Sequence, residues 1–332
     1  MDQRLIALTD WVQGVLGHAA VTVRPASSDA SFRRYFRVTA GNTSYIVMDA
    51  PPEREQIGPF VRVAELLLNL GLNVPEILAR DTKSGYLLMT DLGSTLYLTA
   101  LTNKTADSLY TDALRSLSTL QSGHSPEPSI LPPYDHRLLI EEMELFRHWF
   151  LGTHLEMELS RHQHRYLDKL YQELAQNALE QPRVWVHRDY HCRNLTCTTH
   201  NNPGILDFQD AVVGPVTYDL VSLLRDCYIS WSLEQVEHWA LQYFNLARDS
   251  DIPVGDDLEQ FLRWFDLMGV QRHLKAIGIF ARLYHRDAKS GYLEDIPRVL
   301  SYVNSVSSRY SSLAQLNELL QQLPPRLTPW TQ

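Results

Sequence analysis

The chain has 332 residues, which is enough for one large domain or for two lobes with a substantial core. Its composition, 44% hydrophobic and 21% charged, excludes a disordered chain, and no apolar run reaches the roughly eighteen residues that a membrane helix needs. A net charge of −9 without any Lys/Arg-rich run argues against a nucleic-acid partner and favours a small neutral or anionic metabolite.

The N-terminus and the cysteine count bear on the compartment. Residues 1–5 carry neither a basic stretch nor an apolar core with a cleavage site, so we expect no secretory signal. Three cysteines are an odd number in a chain of this length and argue against a disulfide framework. These features predict a cytoplasmic protein, in a reducing compartment where ATP is present. Nothing in the sequence indicates an oligomeric state.

The first ninety or so residues alternate between helical and strand patterns. We predict, in chain order, a helix over 5–16, strands over 34–38 and 44–48, a helix over 60–68, and strands near 77–79 and 86–89. The connection 40–43 between the first two strands has the composition of a hairpin turn. Residues 91–93 are predicted to form a hinge. The pattern predicts a small N-terminal α/β lobe, residues 1–92, with an antiparallel sheet.

The remainder, residues 93–332, is predicted to be a larger helix-rich lobe. Amphipathic runs lie near 105–121, 135–151, 160–180, 217–248, 257–288 and 295–321. Acidic residues such as Glu141, Glu142 and Glu144 are predicted to line a solvated helix face. The expected fold class is therefore α+β with two lobes.

Two segments in this second part carry the chemistry. Residues 187–194 read His-Arg-Asp-Tyr-His-Cys-Arg-Asn, which matches the kinase catalytic-loop pattern H-R-D-x-x-x-x-N. The apolar pair Ile205 and Leu206 then delivers Asp207, thirteen residues after Asn194. A short strand over 184–186 precedes the loop, and another over 195–197 follows it. Together these segments predict phosphoryl transfer.

Phosphoryl transfer needs little covalent help but requires metal-bridged phosphates held in line with an acceptor hydroxyl. Asp189 is predicted to accept the proton of that hydroxyl as the catalytic base. Asn194 and Asp207 are predicted to bind Mg²⁺, since this ion prefers hard oxygen ligands. Asp210 lies close in sequence and is predicted to bind the metal through water or to contact the acceptor.

Two other interpretations of these segments remain open. An aspartate in a loop after an apolar strand commonly forms a turn or caps a helix. A zinc site is a second alternative, because five residues with suitable ligand atoms fall within 187–200: His187, His191, Cys192, Cys197 and His200. The cysteine spacing lacks the second close pair that structural zinc sites favour, which weakens this alternative.

The chain resembles the aminoglycoside phosphotransferase and choline kinase-like family of the protein-kinase-like fold over nearly its whole length. The resemblance rests on residues 31–38, 47–54, 74–78, 207–211, 214–226 and 271–275. Within the family, these segments are most similar to kinases that phosphorylate the anomeric hydroxyl of N-acetylmuramate and N-acetylglucosamine. The resemblance implies ATP and Mg²⁺ as cosubstrate and cofactor, and a sugar 1-phosphate as product. It also implies that Asp219 braces the catalytic loop.

The nucleotide side departs from the wider kinase pattern. The strand over 45–48 has no phosphate-binding lysine, the helix glutamate expected near Val61 is missing, and the nucleotide loop over 27–32 has no glycine. We predict that Arg33 or Arg34 supplies the missing cation, because a guanidinium can bind phosphate in a bidentate way. The predicted nucleotide-binding residues are Ser31, Phe32, Arg33, Arg34, Met48, Met89 and Asp91, with backbone groups at Asp91 meeting the adenine.

The acceptor is predicted to lie against the helical lobe, within hydrogen-bond range of Asp189. Candidate substrate-binding residues are His191, Arg193, Asp210, Arg225, Asp226, Gln271, Arg272, His273 and Lys275. Arg193, Arg225, Arg272 and His273 are the candidates for binding the carboxylate of N-acetylmuramate. Alternatives are a kinase for an aminoglycoside, choline-like or homoserine acceptor, and a nucleotide-binding pseudokinase without turnover.

Overall fold

The computed structural model describes residues 2–17, 20–28, 32–123 and 130–328. The chain divides into two compact units, one of Met1–Ala100 with Asn194–Asp210 and one of Leu101–Arg193 with Ala211–Gln332. The predicted α+β class is confirmed, with an antiparallel sheet near the N-terminus and a helix-rich remainder. The lobe boundary after residue 92 stays a prediction. Across the described ranges, no helix is both long and apolar enough to cross a membrane.

The first unit is built on a five-stranded sheet. Its elements in chain order are α1 (Gln3–Leu16), β1 (Thr22–Ser28), β2 (Arg34–Ala40), β3 (Thr43–Asp49), α2 (Ile57–Asn69), β4 (Ile77–Asp81), β5 (Tyr86–Thr90) and α3 (Tyr97–Ala100). The sheet order is β1-β2-β3-β5-β4, and every neighbouring pair is antiparallel. Each strand and helix predicted for this region is present.

Local sequence signals explain the ends of these elements. The β2–β3 hairpin closes at the pair Ala40 and Thr43, and Gly41 adopts a left-handed φ of 60° in the turn. Asp2 caps α1 by accepting hydrogen bonds from the first backbone amides of the helix. The apolar face of α1, with Leu8 and Val12, packs on the sheet and forms a buried core.

The second unit contains most of the helices. The elements that follow α3 along the chain are α4 (Ala106–Ser122), α5 (His136–Leu145), a π-helix (Phe146–His154), α6 (Arg161–Leu179), β6 (Arg183–Val186), β7 (Leu195–Thr196), β8 (Gly204–Ile205), β9 (Val212–Pro215), α7 (Tyr218–Leu224), α8 (Leu233–Asp249), α9 (Leu258–Asp287), 3₁₀ turns (Ser290–Asp295, Ser311–Leu313 and Pro325–Leu327), α10 (Ile296–Ser307) and α11 (Ala314–Leu320). Strand β6 pairs antiparallel with β9, and the long helix α9 packs against α5, α6, α7 and α10.

Strands β7 and β8 belong to the first unit. They pair with each other, and Thr196 forms a further bridge to Leu96. The amide of Cys197 donates to the carbonyl of Thr95 at 2.8 Å, and the amide of Ile205 donates to the carbonyl of Asn73 at 2.7 Å. The segment that carries the predicted metal ligands is therefore fixed to the first unit by backbone hydrogen bonds.

Two of the predicted amphipathic runs are interrupted in the structure. The run over 217–248 is two helices, α7 and α8, because Arg225 leaves the helical conformation and Ser232 starts α8 with a capping box to Gln235. The run over 295–321 breaks after α10, and the chain resumes helical structure at Ser311. Neither break contains proline or glycine. The prediction, which relied on apolar periodicity, therefore continued each helix across the break.

Candidate functional site

The catalytic loop begins where β6 ends, in the second unit. Arg188 adopts a left-handed φ of 77°, a conformation that costs energy for a residue other than glycine. The buried carboxylate of Asp219, near the start of α7, holds this turn by accepting the backbone N–H groups of His187 at 2.6 Å and Arg188 at 3.0 Å. The hydroxyl of Tyr190 donates to the carbonyl of Ala113 at 2.8 Å. The loop is thus fixed on both sides of Asp189.

Asp189 is placed in a strongly positive environment. Its amide donates to Nδ1 of His187 at 3.2 Å. Burial on its own raises the pKa of Asp189, but electrostatic interactions with Lys275, His191 and Arg272, followed by His187, lower it below the usual value. The carboxylate is therefore ionised at neutral pH, which is the state required of a proton acceptor.

A buried ionic network supports the loop from α5 and α9. Glu142 on α5 accepts from the guanidinium of Arg188 at 2.6 Å and from Nζ of Lys275 at 2.8 Å. Lys275 on α9 also donates to the hydroxyl of Tyr218 at 2.9 Å, and the hydroxyl of Tyr134 donates to Glu142. Burial raises the pKa of Glu142, but Lys275 and Arg188 lower it, so this carboxylate is ionised. The network fixes both the strained residue and the lysine whose charge acts on Asp189.

Glu142 corrects an expectation from the sequence. The prediction placed it on a solvated helix face, but it is 6% exposed. It shares the apolar stripe of α5 with Leu139 and Met143, and this stripe continues to Phe146 at the start of the π-helix; all three are buried. A carboxylate on the buried face of a helix needs a buried partner. The position of Glu142 among apolar residues at helical spacing was therefore the sequence signal that could have revealed the network.

The predicted metal ligands meet in the first unit. Nδ2 of Asn194 lies 3.4 Å from Oδ2 of Asp207, and Nε2 of Gln209 donates to Oδ1 of Asp207 at 2.8 Å. Asp207 has a left-handed φ of 62°, and the ring of the next residue, Phe208, packs on Phe60 with centroids 4.8 Å apart. One carboxylate beside one carboxamide is a hard-oxygen donor set that suits Mg²⁺. In the described part of the chain, no three His, Cys, Asp or Glu side chains are grouped as metal ligands.

The predicted nucleotide-binding residues occupy varied positions in the first unit. Met48 and Met89 lie in the buried centre of the sheet, whereas Phe32 is 57% exposed and stacks under the guanidinium of Arg54. Asp91 accepts hydrogen bonds from Arg37, Ser44 and the amide of Gly93, so its side chain is already engaged. Ser31 lies outside the described residues. Nucleotide contacts by these residues stay a prediction.

The two candidate phosphate-binding arginines already contact carboxylates. Nε of Arg33 lies 3.7 Å from Glu55, which is a long ion pair. Arg34 binds Asp49 through Nε at 3.0 Å and also pairs with Asp2. Arg4 of α1 joins this cluster by binding the fully buried Asp49, a contact that the sequence analysis missed. Both arginines are therefore engaged by carboxylates, and phosphate binding by either one stays a prediction.

The predicted acceptor-binding residues separate into three groups. The largest group is buried and internally bonded: Arg225 to Asp266 at 2.6 Å, Asp226 to the amides of Cys192 and Tyr228 at 2.9 Å, Gln271 to the hydroxyl of Tyr134 at 3.3 Å, Arg272 to the sulfur of Cys227 at 3.7 Å, and His273 to the carbonyl of Arg225 at 2.9 Å. Lys275 belongs to the Glu142 network. His191 and Arg193 are half-buried in the second unit, and Asp210 is exposed in the first.

The loop that carries Asp189, Asn194 just before β7 and Asp207 just after β8 are the features predicted for a kinase-like phosphotransferase. A sequence model described as "Phosphotransferase enzyme family" matches residues 22–267, which is most of the chain. The chain therefore belongs to the phosphotransferase enzyme family.

Proteins of known sequence and structure resemble this chain. An N-acetylmuramate/N-acetylglucosamine kinase of Pseudomonas aeruginosa is 48% identical over 300 residues, covering 90% of this chain and 88% of the relative. A protein of the same name from Pseudomonas putida is 45% identical over 332 residues, covering 97% of each chain. The ADP-bound crystal structure of aminoglycoside phosphotransferase APH(2'')-Ib has the same fold, with a TM-score of 0.60, 15% identity, and coverage of 91% of this chain and 98% of that one.

Proposed function

We propose that this protein is an ATP-dependent amino-sugar kinase that phosphorylates the anomeric hydroxyl of N-acetylmuramate and N-acetylglucosamine. The observation that carries the proposal is the 45–48% identity to kinases of that name over 90% or more of the chain. ATP as the donor is supported by the kinase catalytic-loop pattern and by the ADP in the related phosphotransferase structure. We also propose that the protein is cytoplasmic, where ATP is available.

The reaction transfers one phosphoryl group. The anomeric oxygen of the sugar forms a bond to the γ-phosphorus of ATP while the bond from that phosphorus to the β,γ-bridging oxygen breaks. ADP leaves, and the proton of the sugar hydroxyl passes to Asp189. Because the transition state is loose, positioning and charge contribute more than nucleophile activation.

Asp189 can accept the proton because its surroundings keep it ionised. Burial disfavours the charged carboxylate, whereas Lys275, His191 and Arg272 favour it and lower its pKa. Asp219 holds the preceding backbone through two N–H bonds, which orients the carboxylate. In a loose transition state, the sugar hydroxyl loses its proton only after the bond to ADP is largely broken. A base with a low pKa therefore suits this reaction.

Asn194 and Asp207 are proposed to hold Mg²⁺ through their side-chain oxygens. Bound there, the ion would neutralise charge on the nucleotide phosphates and orient them. Gln209 fixes one oxygen of Asp207 through a 2.8 Å hydrogen bond and thereby sets the orientation of the carboxylate.

A coupled assay for ADP release tests the proposal. The protein is incubated with ATP, Mg²⁺ and a panel of N-acetylmuramate, N-acetylglucosamine, choline, homoserine and an aminoglycoside. We expect turnover with the two amino sugars and loss of their reducing-end reactivity, because a 1-phosphate blocks the anomeric carbon. Turnover with only choline, homoserine or the antibiotic would reassign the acceptor. ATP binding without turnover on any acceptor would instead indicate a pseudokinase.

A further inference from the structure

The two amino sugars differ in one charged group, the lactyl carboxylate of N-acetylmuramate, and an accessible cation would bind that group most strongly. Three of the four basic residues suggested by sequence are not accessible cations. Arg225 is 4% exposed, bound to Asp266 at 2.6 Å and packed over the ring of Phe265. Arg272 is buried beside Cys227. Burial lowers the pKa of His273 to about 3, so this imidazole is neutral.

Arg193 is the fourth candidate, and its position differs. It occupies the last variable position of the catalytic-loop motif, one residue before Asn194, and its side chain is 38% exposed. Its ion pair with Asp295 is long, 3.9 Å from Nη2 to Oδ2. A charge-assisted hydrogen bond between a guanidinium and a carboxylate is about 2.7–2.9 Å. Arg193 therefore keeps hydrogen-bonding capacity for an anionic ligand.

The carboxylate of Asp295 is compensated by another cation. Nη1 of Arg298 lies 2.5 Å from Oδ1 of Asp295 and 2.6 Å from the carbonyl oxygen of Cys227. Asp295 is thus bound by Arg298 at the N-terminal end of α10, and its hold on Arg193 is weak by comparison. An incoming carboxylate can bind Arg193 without first displacing a tight ion pair.

Aromatic rings hold the guanidinium of Arg193 in place. It lies 3.5 Å from the ring centroid of Tyr228 and 5.8 Å from that of Tyr292. His191, two residues earlier in the loop, packs edge-on against the same Tyr228 ring at 5.3 Å. Stacking on these rings fixes the plane of the guanidinium and lowers the entropy lost when it binds a carboxylate.

We propose that Arg193, held by Tyr228 and Tyr292, binds the carboxylate of the acidic amino sugar and sets the preference for N-acetylmuramate over N-acetylglucosamine. This assignment rests on the proposed function, because it concerns two acceptors of that reaction. It predicts a selective effect, since only one of the two sugars carries a group that Arg193 can bind through charge.

Steady-state kinetics of Arg193→Gln with both sugars tests the assignment. We expect kcat/KM for N-acetylmuramate to fall about ten- to hundredfold, mainly through KM, as expected for a lost charge-assisted hydrogen bond. The loss of kcat/KM for N-acetylglucosamine should be much smaller than the loss for N-acetylmuramate, because that sugar has no carboxylate for Arg193 to bind. Arg193→Lys should restore part of the lost affinity, since it keeps the charge but not the planar fork.

Arg137→Gln is the matched control. Arg137 lies on α5 with a side chain 79% exposed and pairs at 3.5 Å with Glu141, so its loss removes one positive charge from the surface. We expect both sugars to keep their kinetics in this variant. Equal losses for both sugars in Arg193→Gln, or no loss for either, would overturn the assignment. An unsubstituted protein inactive on both sugars would instead refute the proposed function.

Discussion

At the scale of single residues, the proton acceptor is the most direct test of the chemistry. We predict that Asp189→Asn lowers kcat about 10²- to 10⁴-fold, because the amide cannot accept the proton of the sugar hydroxyl. The substitution conserves the size of the side chain in its positively charged site. The measurement is the ADP-release assay under saturating substrates, together with thermal unfolding.

The stability measurement separates a lost base from a damaged loop. The backbone bonds from His187 and Arg188 to Asp219 do not involve the Asp189 side chain, so the loop should keep its conformation. We therefore expect a midpoint of thermal unfolding close to that of the unsubstituted protein. Full turnover by a folded Asp189→Asn protein would mean that another group accepts the proton.

The metal assignment makes a different prediction at Asp207. Asp207→Asn removes the negative charge but keeps a residue that tolerates the left-handed φ of 62°. Mg²⁺ and a non-hydrolysable ATP analogue should stabilise the unsubstituted protein by about 2.7 kcal/mol at a hundred times Kd. The variant should lose the part of this stabilisation that depends on Mg²⁺.

Thermal shifts with the analogue in Mg²⁺ and in EDTA measure that part directly. Alanine would be a poorer choice, because its strained backbone would add a loss of stability unrelated to the metal. If the difference between Mg²⁺ and EDTA were the same in the variant and the unsubstituted protein, Asp207 would not be a metal ligand.

At the scale of elements, α5 and α9 converge on the strained turn through Glu142, Arg188 and Lys275. We predict that Lys275→Met raises the pKa of Asp189, since Lys275 is the main charge that opposes the effect of burial on this carboxylate. A base acts only when ionised, so activity is lost as the pH falls through its pKa. Because the pKa of Asp189 is lowered, the unsubstituted protein should lose activity only below the usual pKa of an aspartate, and the variant should lose it at higher pH.

The ratio of kcat/KM between Lys275→Met and the unsubstituted protein, measured from pH 5 to 8, isolates this effect from titration of ATP. The ratio should fall as the pH falls. Glu142 remains paired with Arg188 in the variant, so the helices should stay packed. Lys169→Met is the control, because Lys169 is 77% exposed on α6 and pairs only with Glu173 among the contacts of the described chain. A flat ratio for Lys275→Met would show that its charge does not act on Asp189.

Two helical glycines test the packing of these elements. A Cβ added at Gly278 of α9 would lie 2.3 Å from the carbonyl carbon of Leu145 and 2.5 Å from the amide nitrogen of Phe146, where α5 becomes a π-helix. These backbone atoms cannot move away without a large energetic cost, so Gly278→Ala should destabilise the protein by about 1–3 kcal/mol or more. At Gly14 of α1 nothing lies within 4 Å, and Gly14→Ala should stabilise by about 0.5–1 kcal/mol.

Chemical denaturation of both variants measures these opposite changes. A fall in the midpoint for Gly278→Ala with a rise for Gly14→Ala is the expected pattern. Equal stabilities would mean that α9 can move away from α5, and that the close approach is not needed for the fold.

At the scale of the whole molecule, features set by residues close together in the chain were easier to predict than contacts between residues far apart in the chain. The kinase-like loop and the Asp207 strand were predictable, because their residues are separated by short, fixed spacings in the chain. The hairpin at Gly41 and the capped helix α1 were predictable for the same reason. In each case the physical cause lies within about a dozen residues.

Contacts between distant residues were not predictable. Glu142, Arg188 and Lys275 meet only because α5, the catalytic loop and α9 pack together, and Arg4 reaches Asp49 across the first unit in the same way. Arg225, where α7 ends, likewise pairs with the distant Asp266 on α9. Periodicity describes which face of a helix is buried but does not identify its partner.

The three cysteines report on the integrity of the whole fold. All are free thiols, and Cys192 and Cys227 are buried in the second unit while Cys197 is half-buried in the first. Burial raises the pKa of Cys192 well above its usual value and that of Cys227 to about 11, and it raises the pKa of Cys197 as well. Since the thiolate is the reactive form, native protein should react slowly with a disulfide reagent, at Cys197 first.

Thiol titration at pH 8 should therefore detect at most one group in the native protein and all three in guanidinium chloride. A reducing agent should leave the thermal midpoint unchanged, because no disulfide contributes to stability. Rapid reaction of two or three thiols without denaturant would mean that the second unit opens readily, since the sulfurs of Cys192 and Cys227 become accessible only when the packing around α7 and the catalytic loop separates.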